Sequence, residues 1–230
     1  MTGDLSALDL VLTGNPALFA IVRLSLLVSL CAVLLAALIG VPAGALLALT
    51  RFRGREAAIV IINALMGLPP VVVGLAVFLL LSRSGPLGSW GVLFTPQAMV
   101  IAQTVLVAPI IAALTRQTIE DLWVEYRDEL GAMNVGAARR VITLIWDARF
   151  SLITALLAGF GRAAAEVGAI IIVGGNIEGF TRTMTTAIAL ETSKGDLPLA
   201  IGLGMVLISV VILINALAWG MRRVGERYAG

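Results

Sequence analysis

Two charged residues, Arg162 and Glu166, stand inside an otherwise uncharged apolar stretch at 150–177. They are four positions apart, so a helix would place them on one face, where they can form an ion pair. A charged side chain at the centre of a membrane helix costs about 2.5–3.5 kcal/mol, so such residues are rare without a purpose. Two interpretations stay open: a structural pair that closes a helix–helix interface, or a gate on the path of a solute.

The chain lacks histidine, and its only lysine is Lys194. Without imidazole, most zinc and haem sites are excluded, so we expect no catalytic residues, no metal and no cofactor. A phosphate-binding P-loop requires Gly-Lys-Ser/Thr, whereas Lys194 is preceded by Ser193 and followed by Gly195. We therefore expect a protein that is not an enzyme. If ATP drives it, a separate subunit must hydrolyse the nucleotide.

A polar cluster follows the apolar stretch that contains Arg162. It combines glycines with hydroxyls, an amide and one arginine: Gly175, Asn176, Thr181, Arg182, Thr183, Thr185 and Thr186. Neutral hydrogen-bond donors beside an arginine suit an oxyanion. The same residues suit any solvated loop, so both interpretations stay open at this point.

Composition defines the class of protein that must position these residues. Of 230 residues, 60% are hydrophobic and 13% are charged, which excludes a soluble enzyme and a nucleic-acid binder. About 20 apolar residues in a helix cross a bilayer. Five stretches satisfy this length, and they lie at 24–49, 57–82, 97–115, 150–177 and 197–221. We predict an all-α integral membrane protein with five transmembrane helices.

The arginines orient these spans. Eleven of the 16 basic residues lie in the 51–55 junction, the 116–149 segment or after 221, and three lie in the opposite junctions. Basic residues accumulate on the cytoplasmic side of membrane proteins. The N-terminus is therefore predicted outside and the C-terminus in the cytoplasm.

Prolines are predicted to interrupt three of the spans, at Pro42, at Pro69 with Pro70, and at Pro109. Each proline removes an intrahelical hydrogen bond, and the freed carbonyl must be satisfied by protein or by water in a cavity. A kinked packing helix and a break that lines a path are both compatible with this pattern. The double proline at Pro69 and Pro70 favours the path most strongly.

The cytoplasmic segment 116–149 is too long and too structured for a simple connection. Its stretches at 119–130 and 132–145 are predicted to form two short helices against the membrane or a partner. In the second stretch, helical spacing predicts one apolar face, made of Val135, Ala138, Ile142 and Ile145.

The stretch 129–137 resembles the EAA loop of type I ABC importer permeases. Ala132 and Gly136 fall on the alanine and glycine of that motif, while Leu130 and Gly131 replace its glutamate and first alanine. The resemblance implies that this loop inserts into a groove of a separate ATPase. The residues it assigns to this coupling loop are Glu129, Gly131, Ala132, Gly136 and Ala137.

The stretches 161–169 and 174–176 are similar to the Gly-Arg-Ala-x-x-Glu-x-Gly-Ala…Gly-Asn signature of the molybdate, tungstate and sulfate permeases. The runs 181–195 and 68–75 look most like those of tungstate-type permeases. The resemblance spans 20–222 as a single transmembrane domain. It implies a translocation path or gate near Pro69, Pro70, Arg162, Glu166 and Gly168.

The resemblance also implies partners. We expect a homodimer in the lipid of a bacterial or archaeal cell membrane, joined by an ATP-binding cassette ATPase and an extracytoplasmic anion-binding protein, with no nucleic acid. The expected function is ATP-driven import of an oxyanion, most of all tungstate. Molybdate and sulfate remain alternatives. An ion-coupled secondary carrier is disfavoured because inverted repeats are not evident, and a membrane enzyme because histidine is absent.

Overall fold

The computed structural model describes the backbone of residues 16–229 and the side chains of residues 18–220. Within these residues the chain is all helical, with no strand. Between residues 16 and 229, a 3₁₀ turn at Gly88–Trp90 accompanies nine α-helices: α1 Pro16–Leu49, α2 Arg55–Met66, α3 Pro70–Leu81, α4 Pro96–Ala132, α5 Ala137–Asp147, α6 Arg149–Ala164, α7 Gly168–Gly174, α8 Met184–Lys194 and α9 Leu197–Ala229. The side chains of Arg222, Arg223 and Arg227, used above for orientation, lie outside the described residues.

Three described helices are long and apolar enough to cross a membrane without interruption: α1, α4 and α9. Two bent pairs raise the number to five if each pair forms one span, namely α2 with α3 at 101° and α5 with α6 at 70°. The all-α membrane fold is therefore confirmed. Several of its spans, however, are not single straight helices.

The axis of the bundle is the pair of long helices α1 and α4, which approach closely at Gly44. A Cβ atom placed on Gly44 would lie 2.4 Å from the carbonyl oxygen of Ala112 and 2.9 Å from the amide nitrogen of Arg116. Only a glycine admits two helix backbones at this separation. The glycine spacing at 40 and 44 thus serves close packing within the chain.

The predicted span 57–82 is broken in the middle. Helix α2 ends at Met66, and α3 begins at Pro70 after the extended residue Pro69 (φ −63°, ψ 123°). A proline disfavours the helical conformation of the residue before it and donates no hydrogen bond. Two prolines in succession therefore stop the helix and allow the chain to turn sharply.

The predicted span 150–177 is also not one helix. Helix α6 ends at Ala164, and α7 covers only Gly168–Gly174. The carboxylate of Glu166 accepts the amide hydrogen of Ala169 at 3.0 Å. A side chain that takes over a backbone donor in this way competes with continuous helix, which explains the break.

The prediction that Pro42 and Pro109 interrupt their spans is wrong. Helix α1 continues through Pro42, and α4 continues through Pro109. The two helices pack most tightly in this region, where Gly40 of α1 faces the backbone of Ala108. Packing against a neighbouring helix holds the backbone despite the lost hydrogen bond.

The segment 116–149 differs from the prediction of two short helices. The stretch 119–130 is the end of the long helix α4, and only α5 is separate. The buried face of α5 is also rotated from the predicted one, since Leu144 is buried while Ala138 and Ile142 are exposed. Leu144 is drawn inward because it packs against Ile119 and Leu130 of α4.

Contacts gather the predicted cytoplasmic and external junctions at opposite ends of the bundle. At one end, Arg55 of the 51–55 junction forms an ion pair with Glu120 of the 116–149 segment. At the other, the predicted external loop before α4 meets the end of α7, where the amide of Phe94 donates to the carbonyl of Val173 at 2.9 Å. The grouping of the loops agrees with the charge pattern, and the orientation itself stays a prediction.

Candidate functional site

Glu166 lies in the break between α6 and α7, and only 3% of its side chain is exposed. One carboxylate oxygen, Oε2, accepts a hydrogen bond from Nη1 of Arg162 at 2.6 Å. The other, Oε1, accepts the amide hydrogen of Ala169 at 3.0 Å. The predicted ion pair is therefore present, and Glu166 has a second task as the cap of α7. Both of its oxygens are used, as a buried charge requires.

Arg162 is less enclosed than its partner, with 31% of its side chain exposed. The open face of α6 around it carries small or polar side chains, while Gly161 has no atom within 4 Å of where its Cβ would lie. The α6 face, as it is called here, consists of the exposed Ser151, Thr154 and Ala158, the partly exposed Arg162, and the exposed Ala165 directly after the helix. The open faces of α1, α3 and α9 carry large aliphatic side chains instead.

The two helix breaks meet in space. A Cβ atom on Gly168 would lie 2.9 Å from Cγ2 of Val71, which directly follows Pro70. The structure therefore brings together all five residues predicted for a path or gate: Pro69, Pro70, Arg162, Glu166 and Gly168. Of these, Pro69 is exposed and Glu166 is buried.

The four predicted loop threonines are buried, and their hydrogen bonds are made inside the protein. Thr181 donates to the carbonyl of Gly174 at 2.6 Å. Thr185 donates to the carbonyl of Glu166 at 2.8 Å. Thr183 and Thr186 form a capping box at the start of α8. These hydroxyls build the loop and anchor it to the helix break, so a solvated loop is the wrong interpretation for them.

The other members of the polar cluster hold the turn after α7. Gly175 ends α7 with φ 72°, and Asn176 follows with φ 49°. The side-chain amide of Asn176 donates to the carbonyl of Thr186 at 3.5 Å. Arg182 is mostly buried, and its Nη1 lies 3.5 Å from Oε2 of the exposed Glu178.

All five residues predicted for the coupling loop are exposed: Glu129, Gly131, Ala132, Gly136 and Ala137. They surround the turn between α4 and α5, and Arg140 of α5 contacts this turn. The guanidinium of Arg140 donates to the carbonyl of Val135 at 2.7 Å and lies 5.7 Å from the centre of the Trp123 ring. Arg140 therefore connects the turn to α4, while the five residues themselves stay accessible to a partner.

Sequence analysis missed the network around Glu120. Its carboxylate binds Arg116, one helical turn earlier, and Arg55, the first residue of α2. Arg55 also donates through Nε to the carbonyl of Leu47 at the end of α1, at 2.8 Å. The spacing of Arg116 and Glu120 could have revealed half of this network. The contribution of Arg55 depends on the fold alone.

A second missed residue is Gln103, which is 1% exposed inside α4. Its side-chain amide donates to the carbonyl of Ala163 at 2.8 Å, at the end of α6. The same carbonyl accepts the backbone amide of Glu166 at 3.1 Å, so Gln103 adds a second donor at the helix break. A glutamine in the middle of an apolar span was the available signal.

Among the described residues, no three His, Cys, Asp or Glu side chains gather to hold a metal.

Three relatives resemble the chain over most of its length. The chain is 41% identical over 205 residues to the "Probable anion ABC transporter permease protein" of Haloferax volcanii, covering 87% of this chain and 88% of that one. It is 37% identical over 220 residues to the tungstate uptake system permease protein of Peptoclostridium acidaminophilum, covering 96% of each. It is 36% identical over 221 residues to the tungstate uptake system permease protein of Campylobacter jejuni, covering 96% of this chain and 92% of that one.

More distant relatives, named as sulfate or molybdenum transport system permeases, are 26–30% identical. No family model matches the sequence. The relatives that match along nearly the whole chain are named as permeases, and this agrees with the several apolar helices described above. The chain belongs to the ABC transporter permease family and is a multi-pass protein of the cell membrane.

Proposed function

We propose that the chain is the pore-forming permease subunit of an ATP-driven importer for tungstate. The observation that carries this proposal is the 36–37% identity to two tungstate uptake permeases along 96% of the chain. Permeases named for molybdenum or sulfate are more distant, at 26–30%. They supply the alternative substrates, since molybdate and sulfate are tetrahedral dianions like tungstate.

In this proposal a separate ATPase subunit docks on the exposed turn between α4 and α5. The turn and its flanks present large apolar side chains to solvent at the predicted cytoplasmic end: Val124, Met133, Ile142 and Trp146. Exposed apolar side chains on a surface outside the bilayer indicate a site for a protein partner. Gly136 and Ala137 at the same turn leave room for a partner to approach closely.

Two copies of the chain form the pore, and the α6 face lines the path between them. Lipid-facing surfaces favour large aliphatic side chains, as on α3, whereas the α6 face is small and polar. Arg162 presents a positive charge there, which attracts an anion, while Glu166 behind it prevents tight trapping. An extracytoplasmic binding protein delivers the anion to the external loops at 82–95 and 175–183.

The substrate is tested by reconstituting the chain with its ATPase and binding protein in liposomes and measuring ATP-dependent uptake of labelled tungstate. We expect uptake that excess unlabelled molybdate or sulfate inhibits less than excess tungstate does. Preferential uptake of molybdate or sulfate would select the alternative substrate. Uptake by the chain alone, driven by an ion gradient, would instead indicate a secondary carrier.

The path is tested with single cysteines. Cys31 is the only cysteine, so Cys31→Ser provides a cysteine-free background. We expect Thr154→Cys and Ala158→Cys to react with a membrane-impermeant, water-soluble thiol reagent and to lose uptake on labelling. Leu79→Cys on the aliphatic face of α3 is the matched control and should stay unlabelled. Equal labelling of both faces would contradict the assignment.

A further inference from the structure

A second polar site lies away from the α6 face, at the predicted external end of the bundle. A cavity of about 450 Å³ opens there between α1 and the loop after α7. Helix α1 forms one wall, with the apolar side chains of Ile21, Leu24 and Leu27 and the charged side chain of Arg23. The loop after α7 forms the other wall, which carries Arg182, Phe180 and one carboxylate, that of Glu178. The cavity therefore combines apolar side chains with two arginines and one carboxylate, which gives it a net positive charge.

Arg182 is the fixed element of this cavity. Only 15% of its side chain is exposed, and within the described part of the chain its Nε is buried without a hydrogen-bond partner. Its ion pair with Glu178 is long, at 3.5 Å, and 84% of the Glu178 side chain is exposed. An ion pair of this kind contributes little. Arg182 is therefore largely buried, yet its Nε–H donor makes no hydrogen bond within the described part of the chain.

Arg23 is the second positive charge. It is exposed on α1, directly before the predicted span 24–49. Within residues 18–220, Arg23 has no ion-pair partner. An arginine at this position extends its guanidinium toward the headgroup layer, where lipid phosphates lie.

We propose that this cavity binds the phosphate headgroup of an anionic phospholipid. The two guanidinium groups would hold the phosphate, because arginine presents several donors in a geometry that matches phosphate oxygens. An acyl chain would lie along Ile21, Leu24 and Leu27. Basic pockets on the cytoplasmic side of membrane proteins bind lipid headgroups by the same chemistry; this cavity offers it at the predicted external end.

A free oxyanion offers the same tetrahedral charge but explains only half of the cavity. The transported anion has no apolar part to cover the side chains of Leu24 and the half-exposed Leu27. A phospholipid has both a charged headgroup and an apolar chain, so it matches both the arginines and the leucines of the cavity. None of the lining residues belongs to the α6 face, so the site can exist whatever anion the permease carries.

The test is native mass spectrometry of the purified full chain, titrated with phosphatidylglycerol or phosphatidylcholine. We expect the first phosphatidylglycerol to bind more tightly than phosphatidylcholine. Arg23→Gln should weaken its binding about fivefold, the effect of one arginine near an anionic surface. Arg182→Gln should weaken it at least as much. Arg83→Gln, which removes an exposed arginine of another external loop, is the matched control and should have no effect.

Each remaining outcome decides against the proposal. Unchanged phosphatidylglycerol binding in Arg23→Gln would overturn it, and since Arg23 is exposed this variant is expected to fold. Displacement of the lipid by millimolar tungstate would show that the cavity takes the free oxyanion. Neither measurement requires uptake, so failure here is distinct from failure of the proposed transport function.

Discussion

Arg162 and Glu166 form an ion pair at 2.6 Å in which the two partners are unequally buried, with 31% and 3% of their side chains exposed. Glu166 sits in the gap between two helices and also receives the amide of Ala169. Arg162 lies in the last turn of α6 and reaches the open α6 face. The pair therefore has one buried partner and one accessible partner, so a structural role and a gate both remain predictions for it.

Variants of this pair separate its two tasks. Arg162→Ala leaves a buried carboxylate without its cation and should cost about 3 kcal/mol, the lower end for a buried pair because Arg162 is partly exposed. Glu166→Ala should also lower the folded yield, since it removes the cap of α7 as well as the charge. The double variant Arg162→Ala/Glu166→Gln removes both charges and keeps an oxygen for Ala169. It should recover folded protein, measured as yield after size-exclusion chromatography.

Uptake by the same double variant decides the functional part. If Arg162 attracts the anion on the path, folded protein returns without tungstate uptake. Recovery of uptake together with yield would show a purely structural pair. Normal expression and transport by both single variants would remove the site assignment altogether.

Gly136→Glu should abolish coupling to the ATPase and leave membrane insertion intact. Gly136 is exposed with ordinary backbone angles (φ −66°, ψ 153°), and a Cβ there meets no atom within 4 Å. An acidic side chain at the start of α5 is even locally favourable. Lost uptake would therefore arise from the partner surface. The measurement is co-purification with the ATPase, and Gly136→Ala should stay close to wild type. Wild-type uptake by Gly136→Glu would refute the coupling assignment.

Glu120→Gln should reduce the ratio of anion uptake to ATP hydrolysis. Glu120 binds Arg55 and Arg116 and so connects the end of α1 and the start of α2 to the α4 extension that carries the coupling turn. Because the network is partly exposed, the loss of stability should be only about 1 kcal/mol. Glu125→Gln, an exposed residue on the same helix, is the control. An unchanged ratio in Glu120→Gln would mean that the network has no part in coupling.

Gly44→Ala should destabilise the bundle because the added methyl group collides with backbone atoms of α4. Overpacking of this kind costs about 1–3 kcal/mol. Gly204→Ala is the matched control, because a Cβ on Gly204 of α9 meets nothing within 4 Å. The thermal unfolding midpoint of the detergent-solubilised protein should fall for Gly44→Ala and stay or rise for Gly204→Ala. Equal midpoints would contradict the close α1–α4 contact.

Much of the site could be predicted from sequence where the signal is local. The spacing of Arg162 and Glu166 predicted their pair, and the double proline at Pro69 and Pro70 predicted a break. The predictions that were wrong concern residues whose conformation depends on contacts with other segments of the chain. Pro109 does not interrupt α4 because α1 packs beside it, and the loop threonines are buried because the loop folds onto the helix break.

The sequence alone determined the class of protein, the number of apolar stretches and the division of its loops into two groups. These properties follow from the free energy of transferring each side chain from water into lipid and from the placement of the basic residues, so they do not depend on contacts between distant residues. Tertiary structure decided where helices break and which faces stay open. The bond of Arg55 to Glu120 joins residues 65 positions apart, and Gly44 meets α4 only after the chain has turned back. The positions of the helix breaks and of the open faces depend on which helix surfaces contact each other, and these contacts exist only once the helices pack together.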